Sequence, residues 1–488
     1  MNDSDASIAD ELTRRPSVLL QLAETSLTVA QSLRDNYFYN TTRFVKVLRR
    51  AIQEGADGVR DTPPLHVHQV GDVGWHTVAN EVVTFIDGGV GRVQFASQMP
   101  ILLRVGSYSV RTGERRLAER EHFGYYPVIL GDLEGGSKER KDFVDIVRIT
   151  AELLGGLAAL ERVPDLDVLF FHGPLVYLMG AYAGHTPFTE QDIDLFLRQY
   201  ATDTAQGQQL KDEFLREARL DVYPRMTDRS DEWVRRRLFE PLAWIAFLYR
   251  TLIRTARERP RTPLIAGVVE RGELRQFSEN IMLERVFRGL RDKGHDDYFN
   301  TLYGRSDLTS PKALLDRLGY TDTLLLAMLL QPGDYSEPWM IEKYDGLRHG
   351  DIALPNEAGT SRVDFAPLRP GPYGFPRVRG SYVCVSETTL PIRIETFEEF
   401  GEAHLAEVAK RAWLYARLLP GYGFPVGLDI ADKYAHVPTW MTDAYSKLIR
   451  HHLGVSLQRG EISDVEMRRI LIQAMYITQR DWLFRPQV

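Results

Sequence analysis

The chain has 488 residues, 44% hydrophobic and 26% charged, with 67 Asp and Glu against 60 Lys and Arg for a formal net charge of −7. This composition excludes disordered, collagen-like and disulfide-stapled classes and suits about three globular domains or one elaborated one. The acidic balance argues against binding nucleic acid or anionic membrane with the whole surface, although a local basic groove is compatible with it.

A single cysteine, Cys384, excludes an intramolecular disulfide framework and multi-cysteine zinc sites. Within Tyr382-Val383-Cys384-Val385 it reads as a buried thiol. The acidic start, Met1 to Leu12, lacks a basic-then-apolar signal. The longest apolar run, Leu324 to Leu330, is far shorter than a membrane span, so the expected location is cytoplasmic.

In chain order, residues 8–54 read as helix from Leu19, Leu20, Leu22, Ala23 and Leu27 and, later, Phe44, Val45, Val47 and Leu48. Asp61-Thr62-Pro63-Pro64 breaks that pattern, and β texture follows: Val82–Ile86 ended by Asp87-Gly88-Gly89, then Arg92–Phe95, Ile101–Val110 and Tyr125–Leu130. Asp142–Arg162 returns to helix, and Asp167–Phe171 is a short apolar run typical of a central strand, stopped by His172-Gly173-Pro174. Residues 185–260 are helical and Arg-rich, Pro263–Val269 is another strand, and helical material continues to about residue 330. A Pro-rich stretch at 331–380 precedes strands at Ser381–Ser386 and Leu390–Ile394, after which helices run to the end. The succession predicts an α/β layer architecture.

Four places carry possible chemistry. Asp87 stands at a strand end beside two glycines that let a ligand approach the backbone, or it simply opens a turn. Glu152 is a lone acid in an otherwise apolar helix segment, either aimed at the strand ends or exposed. His172 occupies the same strand-end position as Asp87, as a metal ligand, a proton shuttle or a satisfied structural histidine. Asp432 and His436 lie four apart on a helix fed by Gly421-Tyr422-Gly423-Phe424-Pro425, facing one site or solvent. Acids collected from a strand end, a packed helix and a late helix suit Mg2+ or Mn2+ and phosphodiester hydrolysis, and a histidine ligand favours Mn2+.

The chain resembles the NurA family of nucleases. Its hallmarks are matched in order by Ile86-Asp87-Gly88-Gly89, Ala151-Glu152-Leu153, Phe171-His172-Gly173-Pro174-Leu175 and Ala266-Gly267-Val268-Val269-Glu270. The leucine-rich helix leading to Pro332-Gly333-Asp334-Tyr335-Ser336 follows, then Pro391-Ile392-Arg393-Ile394-Glu395 and Phe424-Pro425…Leu428…Ala431-Asp432…Ala435. His172 stands where the family pattern has Asp, and Glu270 where it has Lys.

The resemblance implies an RNase H-like core, a mixed central sheet flanked by helices, over residues 76–440 with a helical insertion at about 185–260. Helical N- and C-terminal regions would occupy residues 1–75 and 441–488. It further implies a homodimer and Mn2+-dependent (or Mg2+-dependent) DNA cleavage. The partner would be a HerA-type hexameric ATPase, in end processing, repair or anti-phage defence. Asp87, Glu152, His172 and Asp432 would be the catalytic and metal residues, and Arg235, Arg236, Arg237, Arg254, Arg257 and Arg393 candidate DNA contacts. Arg259 and Arg261 belong to the same Arg-rich stretch, which reads equally as a solvated, salt-bridged helix face. The alternative function is a degenerate NurA-like adaptor or DNA-end sensor that binds the translocase without cleaving.

Overall fold

The structure, a computed structural model, describes residues 16–57, 63–92, 101–116, 120–125, 128–130, 137–177, 190–200, 204–217, 241–343, 353–354, 361–362 and 375–472. The chain divides into two compact units, one from residues 1–66, 273–329 and 476–488, the other from residues 67–272 and 330–475.

In the first unit the helix Pro16–Ser32 passes through a π-helical turn, Leu33–Phe38, into the helix Tyr39–Ala56. The predicted helix forms, but Leu19, Leu20, Leu22 and Leu27 are exposed, whereas Phe44 and Leu48 are fully buried. Residues 273–329, expected inside the 76–440 domain, cluster in this unit. Here Ser310 caps the helix Pro311–Leu318, accepting from Ala313 N–H, and Gly319 ends it in the left-handed region. Asp322, wholly buried, offsets its desolvation by accepting the N–H groups of Phe277 and Ser278 at 3.2 and 2.8 Å.

The second unit is built on strands β1 (Val67–Gln69), β2 (Val82–Arg92), β3 (Ile101–Arg111), β4 (Glu121–Tyr125), β5 (Val128–Leu130), β6 (Val168–His172), β7 (Leu264–Val269), β8 (Asp334–Ser336) and β9 (Trp339–Ile341). A separate two-stranded ladder, β10 (Ala353–Leu354) with β11 (Ser361–Arg362), precedes β12 (Val378–Val383) and β13 (Ile392–Phe397). The large sheet has 11 strands in the order β1-β8-β12-β13-β7-β6-β2-β3-β4, with β5 on β3 and β9 on β12. β2, β3 and β4 form an antiparallel meander, and β6 then β7 join β2 in parallel. This five-strand arrangement is the expected RNase H-like core, and β13 and β12 extend it antiparallel.

Alternation along β2 sends Val83 and Phe85 to one face and Thr84 and Ile86 to the other. The first face packs on Leu405, Val408, Ala409 and Ala412 of the helix Glu402–Ala416 and on Leu428 and Ala431 of the helix Val426–Ala435. The helix Ser137–Arg162 covers the other face and is buried on all sides from Ile149 to Leu160, a stretch apolar but for Thr150 and Glu152. Gly156 lets it close on the sheet, since a β-carbon there would stand 2.4 Å from the Phe171 ring.

One expectation fails. β2 does not stop at Asp87-Gly88-Gly89 but runs on to Arg92, paired with β3 throughout. The glycines are not turn residues; they make room for neighbours. A β-carbon on Gly89 would stand 2.1 Å from the carbonyl oxygen of Ala435, and one on Gly106, which pairs with Asp87 on β3, would stand 2.2 Å from that of Ala431. The backbone that approaches closely is the protein's own helix Val426–Ala435. The expected run at 92–95 lies outside the described residues beyond Arg92.

Candidate metal centre

Parallel pairing of β2 with β6 sets Ile86 opposite Phe171, which brings Asp87 and His172 side by side one residue further on. Period-2 alternation puts both on the face covered by the helix Val426–Ala435. That helix, held against Gly89 and Gly106, contributes Asp432. One ligand atom each from Asp87, His172 and Asp432 lie within 4.8 Å of one another, the one such group of three among the described residues. Asp87 is buried, His172 half-buried and Asp432 exposed, so the cluster opens outward.

His172 Nδ1 is 3.4 Å from Asp87 Oδ2, and its ring stands edge-on to Phe424 at 5.3 Å. Burial disfavours an imidazolium here, but the hydrogen bond and charge of Asp87, with Asp432 and Glu152 behind, outweigh it and raise the His172 pKa. Burial and the facing Asp87 carboxylate raise that of Asp432. Two carboxylates pressed together beside an imidazole repel unless a cation or proton stands between them. The donor set of two hard oxygens and one nitrogen fits Mn2+.

The turn after β6 is fixed separately. Gly173 takes a φ of +92°, its N–H bonds to Val268 carbonyl at 2.8 Å, and the loop then crosses tightly over Gly267. Leu175 N–H donates to Glu395 Oε2 at 3.0 Å. Glu395 is fully buried on β13, and its Oε1 accepts from Lys343 Nζ at 2.8 Å and Arg393 Nε at 2.9 Å. Desolvation pushes Lys343 down to about 8 despite that partner.

Glu152 approaches from the opposite face of the sheet and stands beside the three-residue cluster rather than within it. It packs against Gly88, where a β-carbon would lie 2.6 Å from its Oε1. Arg148 Nη1 donates to Glu152 Oε1 at 2.8 Å, and Tyr177 Oη donates to its Oε2 at 3.3 Å. Burial raises the Glu152 pKa, Arg148 opposes the shift, and Asp87 reinforces it. Its carboxylate is thus electrostatically part of the same site.

The arginine expectations divide. Arg393 is a correction: it is 4% exposed and ion-paired with Glu395 inside the sheet, so it presents no surface for a phosphate. Arg254 pairs with Glu213 at 2.8 Å, and Arg257 bonds the Glu399 carbonyl and lies over Phe400. Arg259 ties down the carbonyls of Leu160, Val163 and Pro164, and Arg261 pairs with Asp167, so both brace the entry to β6. Arg235, Arg236 and Arg237 lie outside the described residues. Glu270 is exposed just past β7, 3.7 Å from Arg271. Cys384 is buried as expected, its thiol pushed up to about 11 by desolvation.

Sequence reasoning missed Arg148, Tyr177, Lys343 and the central place of Glu395. Only Arg148 carries a local signal, its i−4 position relative to Glu152.

The chain belongs to the NurA domain family, whose model matches residues 81–437. Among solved structures it is similar to the NurA nuclease from Sulfolobus solfataricus, at 12% identity and a TM-score of 0.45 over 88% of this chain and 98% of that one. A NurA bound to dAMP and manganese is similar at 11% identity and a TM-score of 0.33, over 88% of this chain and 94% of that one. A NurA with manganese follows at 13% and 0.31, over 84% and 96%. No curated protein sequence matches the chain.

Proposed function

We propose that this protein is a metal-dependent DNA nuclease whose centre is formed by Asp87, His172 and Asp432, with Glu152 completing the donor set. The observation that carries the proposal is the convergence of the three ligand atoms within 4.8 Å, from two adjacent strands and a helix. Membership of the NurA domain family supports it. When bound there, Mn2+ (or Mg2+) supplies Lewis-acid activation of water and of the phosphate oxygens.

The protein's own groups hold and orient. Asp87 and Asp432 offer carboxylate oxygens on one face of the sheet. Phe424 and Asp87 fix the His172 ring, leaving its Nε2 for a cation or for a proton at the leaving oxygen. Glu152 brings a third carboxylate from the other face. The family resemblance extends the proposal to a homodimer fed by a HerA-type hexameric ATPase, in DNA end processing, repair or anti-phage defence in the cytoplasm. Binding by the isolated protein would then be weak and salt-sensitive, since the net charge is −7.

The test is degradation of linear DNA by purified protein with Mn2+, alone and with its translocase. Asp87→Ala should abolish cleavage; cleavage undiminished in that variant would refute the assignment. The exposed Glu270 at the strand end favours a second reading, a non-cleaving adaptor, which predicts no cleavage by the wild type either.

A further inference from the structure

Arg148 touches the Glu152 carboxylate beside the centre, yet the chemistry above gives it no task. Its Nη1 donates to Glu152 Oε1 at 2.8 Å and to Tyr177 Oη at 2.9 Å, and its guanidinium carbon lies 5.0 Å above the Tyr177 ring. Those contacts use one nitrogen only. Nη2 is 4.0 Å from Asp145, beyond hydrogen-bond reach, and neither Nη2 nor Nε has a hydrogen-bond partner among the described residues. The side chain keeps 21% of its surface exposed, against 6% for Glu152, so the arginine is the more open member of the pair.

Position points the same way. A β-carbon on Gly88 would stand 3.0 Å from Arg148 Cγ, so the arginine stem runs directly beneath the residue that follows Asp87. Arg148 therefore enters the centre from the sheet face opposite Asp432 and His172. A phosphodiester approaching this place meets the carboxylates of Asp87 and Asp432, which repel it. A guanidinium anchored by one nitrogen, with two donors left in a planar fork, is suited to two non-bridging phosphate oxygens.

We propose that Arg148 binds the phosphate of the DNA being cleaved, anchored through Nη1 by Glu152 and Tyr177 and donating to the phosphate through Nη2 and Nε. The proposal rests on the nuclease reading. It differs from a purely structural role, in which Arg148 would only hold Glu152 in place.

The test compares wild type with Arg148→Gln and Arg148→Lys in three measurements. Binding of a labelled DNA duplex is followed against salt with Ca2+ in place of Mn2+, Mn2+ binding is measured by calorimetry, and cleavage is measured with Mn2+. Arg148→Gln should lower the slope of log affinity against log salt by about one unit. It should leave Mn2+ affinity unchanged or tighter, since a competing positive charge is gone, and reduce kcat by about a hundredfold. Arg148→Lys, which keeps the charge, should restore the slope. The proposal is overturned if Arg148→Gln retains the wild-type salt slope while losing Mn2+ affinity, as a mere support for Glu152 would. Wild-type protein that cuts no DNA defeats the nuclease reading separately, and the salt slopes still decide whether Arg148 contacts phosphate.

Discussion

A β-carbon on Gly88 would lie 2.6 Å from Oε1 of Glu152, so the residue after Asp87 must be glycine for Glu152 to stand where it does. Its neighbour obeys a harder constraint, since a β-carbon on Gly89 would meet the backbone carbonyl of Ala435 at 2.1 Å. A side chain can swing away and a helix backbone cannot. Gly88→Ala should therefore leave the fold intact and cut cleavage at least tenfold by displacing Glu152. Gly89→Ala should destabilise by about 1–3 kcal/mol, the usual cost of overpacking, and shift Asp432 as well. Chemical denaturation alongside a cleavage assay separates the two; equal stability loss in both variants would contradict this account.

Asp87 and Asp432 face each other beside His172, and a cation bound among them would relieve their repulsion. Mn2+ at a hundred times its dissociation constant should stabilise the wild type by about 2.7 kcal/mol through mass action. Asp87→Ala should show no such gain. A thermal melt with and without Mn2+ reads this directly, and an equal Mn2+ shift in both proteins would place the cation elsewhere.

Much of this arrangement is legible in the sequence. Apolar runs mark β2, β6 and β7, and parallel pairing in register is what sets Asp87 beside His172, although β2 continues five residues past Asp87. Glu152 stood out as an acid in an apolar helix. The end of β2 is not legible because Asp-Gly-Gly has the local chemistry of a turn, whereas here Gly88 makes room for Glu152 and Gly89 for a helix some 350 residues later in the chain. The pairing of Lys343 with Glu395, 52 residues apart, is not legible for the same reason: no local pattern announces a buried ion pair. The clustering of residues 273–329 with the N-terminal helices is also a long-range fact.

Glu395 is wholly buried and is the shared partner of Lys343, Arg393 and Leu175 N–H. Removing its charge leaves two cations, 1% and 4% exposed, without their counter-ion. Glu395→Gln should therefore destabilise by about 3–5 kcal/mol, the range for breaking a buried pair. The loss should shrink as pH rises past 8, where Lys343 sheds its proton, because its pKa is already pushed down to about 8 by burial. Urea titrations at pH 7 and pH 9 test this; a pH-independent loss would contradict it.

His404 accepts the Ile265 N–H at Nε2 over 3.1 Å and stacks on Phe400 at 4.6 Å. Burial pushes its pKa down to about 4, below the unfolded value of about 6.5. A folded pKa below the unfolded one gives stability that is complete above pH 6.5 and lost as pH falls toward 4, because the unfolded chain takes up the proton first. The loss between pH 7.5 and pH 5 should be about 2 kcal/mol. His404→Gln, whose amide oxygen can accept the same N–H, should remove that part of the acid sensitivity. Identical pH dependence in the two proteins would count against the neutral, buried imidazole.

The central claim is that Asp87, His172 and Asp432 hold the catalytic cation. Anomalous scattering at the manganese edge from crystals of the Mn2+-soaked protein tests it most directly. The expected result is a peak bounded by Asp87, His172 and Asp432 that disappears in Asp87→Ala. Crystals that show no peak there, or show it bound by other side chains, would contradict it.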